Sequence, residues 1–154
     1  MAAARHPVLY AQCGVEDSLD GRFDMIALHA FLVLDRLKGT EETFRQALVD
    51  ELFLDMDRSL REMGVGDLSV GKKVRKMAEV FYGRVAAYDR ALASPDGGLA
   101  VAIARNVFPG ASEGVDSPGV RRLAAYMLDQ RAHLAGQPAA AIVSGDVNFR
   151  EPSA

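Results

Sequence analysis

The chain has 154 residues, 49% of them hydrophobic and 25% charged, with a formal net charge of −3. That length suits one domain with a sizeable core, and the acidic balance gives no general attraction to DNA. A single cysteine, Cys13, excludes an internal disulfide framework; with no histidine or acidic pair beside it in sequence, it reads as a small, partly buried residue rather than a nucleophile.

Residues 1–19 read as a loosely ordered lead-in with Gly14, Asp17 and Ser18 as turn formers, and with no long apolar run of the kind a secretory signal needs. A first helix is predicted from about Gly21 to Lys38. Its stretch Met25 to Leu34 is apolar on nearly all sides, which places it at the centre of a bundle and is too short to span a bilayer. A second helix is predicted to start at Thr40, with Glu41 and Glu42 in its first turn, and to carry Phe44, Leu48, Leu52 and Met56 on one side as far as Met63. A third, from about Ser69 to Ala93, has the near-heptad stripe Val70, Val74, Met77, Phe81, Val85, Tyr88 and Leu92, the pattern of a helix packed along an antiparallel partner. Ser94-Pro-Asp-Gly-Gly98 breaks it. A shorter helix over Leu99 to Phe108, a loop from Pro109 to Asp116, and a helix from Pro118 to about Ala135 capped by Ser117 follow. The tail after Gln137-Pro138 is irregular, with Val147-Asn-Phe149 extended and the last residues frayed. The expected fold is all-α: a compact bundle of about five helices forming one domain over residues 1–154, with 1–19 and 145–154 loosely ordered.

Gly66 to Lys72 matches most of a phosphate-binding loop, G-x-x-x-x-G-K-[ST]. The match fails on chemistry. Lys73 stands where a hydroxyl must hold Mg²⁺, Asp67 would put a carboxylate inside the anion nest, and Phe53 to Met63 has helical rather than strand periodicity. The segment reads instead as an interhelical turn, with Gly64 in the left-handed conformation and Ser69 capping the next helix.

No metal or nucleophile pattern is evident: His6, His29 and His133 are isolated, without H-E-x-x-H or Glu-x-x-His spacing. No cofactor is expected, and His29, inside the apolar helix, reads as a core histidine hydrogen-bonded to a neighbour, with a helical cofactor pocket as the alternative. Asp55 and Asp57 do not face each other on a helix. Asp57 is placed to pair with Arg61, and Arg58 with Glu62. Charge is segregated: Thr40 to Met63 carries seven acidic residues and three arginines, and Lys72 to Arg90 carries six basic and two acidic residues. The cluster Lys72, Lys73, Arg75 and Lys76 is expected mainly to pair with the acidic helix, and what remains is a candidate surface for RNA or acidic headgroups.

Gly21-Arg-Phe-Asp-Met25 with Leu28-His29, then Phe53-Leu-Asp-Met-Asp-Arg-Ser-Leu-Arg-Glu-Met-Gly-Val-Gly-Asp67, Lys72-Lys73 and Phe81-Tyr82-Gly83-Arg84, resemble the ubiquinol–cytochrome c chaperone family. The resemblance is strong over about Gly14 to Leu92. It implies a helical, non-enzymatic assembly factor of the cytochrome bc1 complex that binds newly made cytochrome b at the cytoplasmic face of the inner membrane. In mitochondria such a relative works with a small partner protein near the ribosomal tunnel exit. Against that background, Asp55, Asp57, Arg58, Arg61, Glu62, Lys72, Lys73, Lys76, Tyr82 and Arg84 are the candidate client-binding residues, with Met56, Met63 and Met77 as adaptable apolar contacts. Arg22, Asp24 and His29 form a structural motif in which Arg22 and Asp24 pair with Asp20 or the third helix. Family members carry a further helical stretch upstream of the Gly14 region, so the short lead-in here is expected either to reflect the start site or to leave an apolar groove open. Such a groove makes a homo-oligomeric scaffold the other alternative.

Overall fold

The computed structural model describes residues 2–94, 98–110 and 112–152. Among these there are seven α-helices and no strand: α1 (Pro7–Ala11), α2 (Leu19–Arg36), α3 (Glu42–Glu62), α4 (Asp67–Ala93), α5 (Leu99–Val107), α6 (Pro118–Ala135) and α7 (Ala139–Val143). The five longer ones are the five read from the sequence, and the all-α expectation holds. Pro95 to Gly97, within the predicted break after α4, and Ser153-Ala154, within the predicted frayed end, lie outside the described residues.

α2 is the central element, as its all-round apolar stretch requires. It packs against α4, α5, α6 and the N-terminal 3-10 turn Ala3–Arg5, and buries Met25, Leu28, Phe31 and Leu32 to 2% exposure or less. Phe31 meets Tyr88 of α4 at 5.5 Å between ring centroids. α3 and α4 form an antiparallel hairpin in which Phe53 lies edge-on to Phe81. Their turn is a Schellman motif: Gly64 sits at φ +84°, the Val65 N–H bonds to the Leu60 carbonyl at 3.0 Å, and the Gly64 N–H bonds to that of Arg61. Helix, not strand, therefore leads into Gly66-to-Lys72, as the rejection of a phosphate loop requires.

Several helix ends differ from expectation. Ser18 accepts from the Gly21 N–H and starts α2 two residues early, because a side-chain cap there outweighs the glycine. Thr40 does not open α3. Its hydroxyl donates back to the Leu37 carbonyl, while Glu42 accepts from the Gly39 N–H. Ser69 lies inside the first turn of α4, which begins at Asp67 after Gly66, and Ser117 precedes Pro118 without a side-chain cap.

Residues before Gly14, read as a loose lead-in, bury Ala4, Leu9 and Cys13 in the core. The C-terminal segment is also held. Gln130, fully buried, donates to the Arg150 carbonyl and accepts from its N–H, and Gln137 does the same for Asn148. These two glutamines, seven apart on and just beyond α6, place Phe149 edge-on against His29 at 5.1 Å.

Candidate functional site

α3 leans on α4 rather than on α2, and between the facing sides of α2 and α3 the surface is hollow. One groove, of about 490 Å³, has a floor of Ile26, Ala30, Val33 and Leu34 from α2 and walls that include Phe44, Leu48 and Leu52 of α3 and Phe149 of the tail. A second, of about 940 Å³, is lined by Phe23, Tyr10, Met56, Leu60, Met63 and Met77. Leu19 and Met63 there are each more than half exposed. Along the apolar side of α3, Val49, Met56 and Leu60 are buried and Phe44 and Leu48 pack against Val33 and Leu37 at the end of α2, so the grooves open beside a packed seam.

Charged side chains rim both grooves. Glu51 and Asp55 edge the first, and Arg5, Asp17, Arg22 and Glu62 edge the second. Arg22 pairs with Asp17 at 2.7 Å, not with Asp20 or α4 as expected. The hydrogen bond from Arg22 pulls the Asp17 carboxyl below its ordinary range.

The residues singled out by sequence therefore separate into three groups. Asp55 and Glu62 stand on the grooves, together with all three methionines. Asp57, Arg58 and Arg61 line neither groove. Asp57 pairs with Arg61, which also reaches Asp67, and Arg58 bonds Glu51 rather than Glu62. On α4, Lys72, Lys73, Arg75 and Lys76 are exposed, and Tyr82 is half exposed. The expected pairing of this cluster with the acidic helix does not form. Among the described residues Lys76 bonds Glu79 of its own helix, and Lys72, Lys73 and Arg75 have no carboxylate within 4.0 Å; of the acids of α3, Glu42, Glu51 and Asp57 pair instead with arginines of α3.

Arg84 is not a surface group. Its guanidinium meets Asp24 at 2.5 Å, with both side chains largely buried, and lies over the Phe23 ring at 5.5 Å. This is the pairing of Asp24 with the third long helix that the sequence suggested. Burial outweighs the pull of Arg84 and holds the Asp24 carboxyl up at about 6. The Tyr88 hydroxyl nearby is buried without a partner among the described residues.

His29 is bonded on both ring nitrogens. A carbonyl only accepts, so Nδ1 donates to the Met25 carbonyl at 2.7 Å, and the Tyr126 hydroxyl donates to Nε2 at 2.7 Å. Burial depresses its pKa to about 4. Neither nitrogen is free to ligate a cofactor, and among the described residues no three His, Cys, Asp or Glu side chains converge as a metal site. None of the helices described is long and apolar enough to cross a membrane.

Tyr10 was not singled out from sequence, and Phe23, Phe44 and Phe149 entered only as motif, stripe and tail positions, not as groove lining. Single aromatics in amphipathic stretches carry no sign of which face is left uncovered.

A hollow between two helices has no chemistry of its own, so relatives bear on its use. The sequence profile of the family described as ubiquinol-cytochrome C chaperone matches residues 11–149. The chain belongs to that family. It is 41% identical to the Cbp3 homolog from Brucella abortus, whose crystal structure superposes with a TM-score of 0.82 over 97% of this chain and 83% of that one. It is also 27% identical to ubiquinol-cytochrome-c reductase complex assembly factor 1 of Xenopus laevis over 64% of this chain and 50% of that protein. The mouse counterpart is 26% identical over 92% of this chain and 48% of its own length. The chain thus spans about half the length of these assembly factors.

Proposed function

We propose that the chain is an assembly chaperone of the ubiquinol–cytochrome c reductase complex, that its client is newly made cytochrome b, and that it works by binding, without turnover, at the cytoplasmic face of the inner membrane. The observation that carries this reading is the hollow between α2 and α3 in a chain of this family: apolar and methionine-bearing inside, charged at its rim. Methionine side chains adapt to irregular apolar surfaces, and a membrane protein awaiting assembly offers such surfaces beside charged loops. Asp55 and Glu62 serve the loops at the rim. The exposed Lys72, Lys73 and Arg75 are a second surface, suited to an acidic partner or client segment.

The test is affinity capture of the tagged chain from detergent-solubilised membranes of cells making the complex. Cytochrome b is expected in the wild-type capture and is expected to be lost with Met63→Asp, a substitution at a side chain 57% exposed that leaves the core intact. Capture without cytochrome b, from cells actively producing it, would sink this reading. A fixed homo-oligomer by light scattering, with the same Met63→Asp variant turning monomeric, would favour the scaffold alternative.

A further inference from the structure

The first turns of α4 present a basic face to solvent. Residues 68–78 carry Lys72, Lys73, Arg75 and Lys76, all exposed, and no acidic residue. Leu68, Lys72 and Arg75 follow one another at steps of four and three, so they share one side of the helix, with Lys73 and Lys76 flanking it. Val70 and Phe81, both fully buried, mark the opposite side, and the basic face therefore points away from the core. The acids that bracket the stretch are engaged: Asp67 reaches Arg61 of α3, and Glu79 takes Lys76. Lys72, Lys73 and Arg75 thus form a local positive patch on a chain whose net charge is −3.

Leu68 sets the kind of partner. It is fully exposed at the head of this face, beside the interhelical turn, and Met63 at the other end of that turn is more than half exposed. A bilayer surface offers the matching arrangement, with anionic headgroups outermost and apolar chains a few ångströms below them. Single-stranded RNA fits less well, because it calls for aromatic platforms among the charges. Tyr82, the half-exposed aromatic of α4, lies fourteen residues beyond Leu68, about 21 Å along the helix.

We infer that the first turns of α4 dock on an anionic bilayer, with Lys72, Lys73 and Arg75 at the headgroup phosphates and Leu68 entering the interface. The inference deepens the membrane-face part of the reading above by naming the surface turned to the membrane. Because the chain as a whole is acidic, the bilayer repels the rest of the molecule, and contact confined to this face holds the chain in one orientation.

The experiment is flotation of the full chain with vesicles of phosphatidylcholine, alone or with one-third phosphatidylglycerol, at low salt. Wild type is expected to float with the anionic vesicles only and to be released by added salt. The double variant Lys72→Gln, Lys73→Gln is expected to weaken partition by on the order of 25-fold, roughly fivefold for each basic residue. Leu68→Ala is expected to weaken it by on the order of fivefold and to leave the salt dependence unchanged. All of these side chains are exposed, so thermal unfolding of the variants is expected to match wild type. Failure of wild type to bind the anionic vesicles, or binding that ignores either variant, would overturn the docking face. An oligouridine probe bound through the same lysines while the vesicles are ignored would assign the face to RNA and also overturn it. Vesicle binding with both losses, but no capture of cytochrome b, supports the face and removes that client. Capture of cytochrome b retained by both variants, without vesicle binding, keeps the client and removes the face.

Discussion

His29 and Asp24 lie five residues apart on α2, and burial moves their protonation in opposite directions in energy. His29 titrates at about 4 in the folded chain, below its ordinary 6.5, so the unfolded chain binds the extra proton first and stability falls as pH drops from 6.5 towards 4. Asp24 titrates at about 6, above its ordinary 3.8, so its contribution is fully present below 3.8 and is lost as pH rises through 6. Between pH 4 and 6 the two oppose each other. Asp24→Asn removes one side of this balance. Relative to wild type, the variant is expected to lose about 1.4 kcal/mol of unfolding free energy per pH unit as pH falls from 6 to 4. Urea titrations of both proteins at pH 4, 5 and 6 measure that difference; parallel pH dependences would mean that Asp24 does not titrate in this window. On the other side of α2, Tyr126→Phe strips the donor from His29 Nε2 and leaves a buried lone pair unmet. The expected cost is about 1–3 kcal/mol, read as a lower denaturation midpoint at pH 7.

At the scale of elements, two glycines hold the N-terminal segment against the bundle. A Cβ on Gly21 would lie 2.0 Å from the Glu16 carbonyl oxygen, and one on Gly119 would lie 2.5 Å from that of Cys13. Both obstacles are backbone, so no rotamer change relieves them. Gly119 lies in the first turn of α6, where alanine would ordinarily strengthen a helix by roughly 0.8–1 kcal/mol. Here Gly119→Ala is expected to lower the melting temperature, and Gly71→Ala, at a helical glycine with open space around it, to raise or hold it. The reverse order would show that α6 and the Cys13 loop do not lie this close. Segment 3–15 could not be read as ordered from its own residues because what they pack on lies elsewhere in the chain: Leu9, Cys13 and Val15 join the core, and Gly119 admits the Cys13 carbonyl to α6.

For the whole molecule, two helical leucines have opposite fates. Leu28 on α2 is fully buried and Leu68 at the start of α4 is fully exposed. Leu28→Ala is expected to cost about 2–5 kcal/mol and Leu68→Ala under about 0.5 kcal/mol, measured by chemical denaturation. A large cost at Leu68 would mean that the α3–α4 tip is covered in solution. The sequence by itself determined the class of fold, the five longer helices and the Gly64 turn, because helical period, caps and glycine conformation depend on residues within one or two turns. It also carried the family, through runs such as Asp55-Met-Asp-Arg-Ser-Leu-Arg-Glu62, and left a later helix as one of two places where Asp24 could pair. Only the tertiary structure decided that grooves open between α2 and α3, that Arg84 is buried while Lys72 and Lys73 are not, and that Tyr126, 97 residues away, completes His29. Those outcomes depend on which surfaces meet, and a face covered by a neighbour has the same local pattern as a face left open for one.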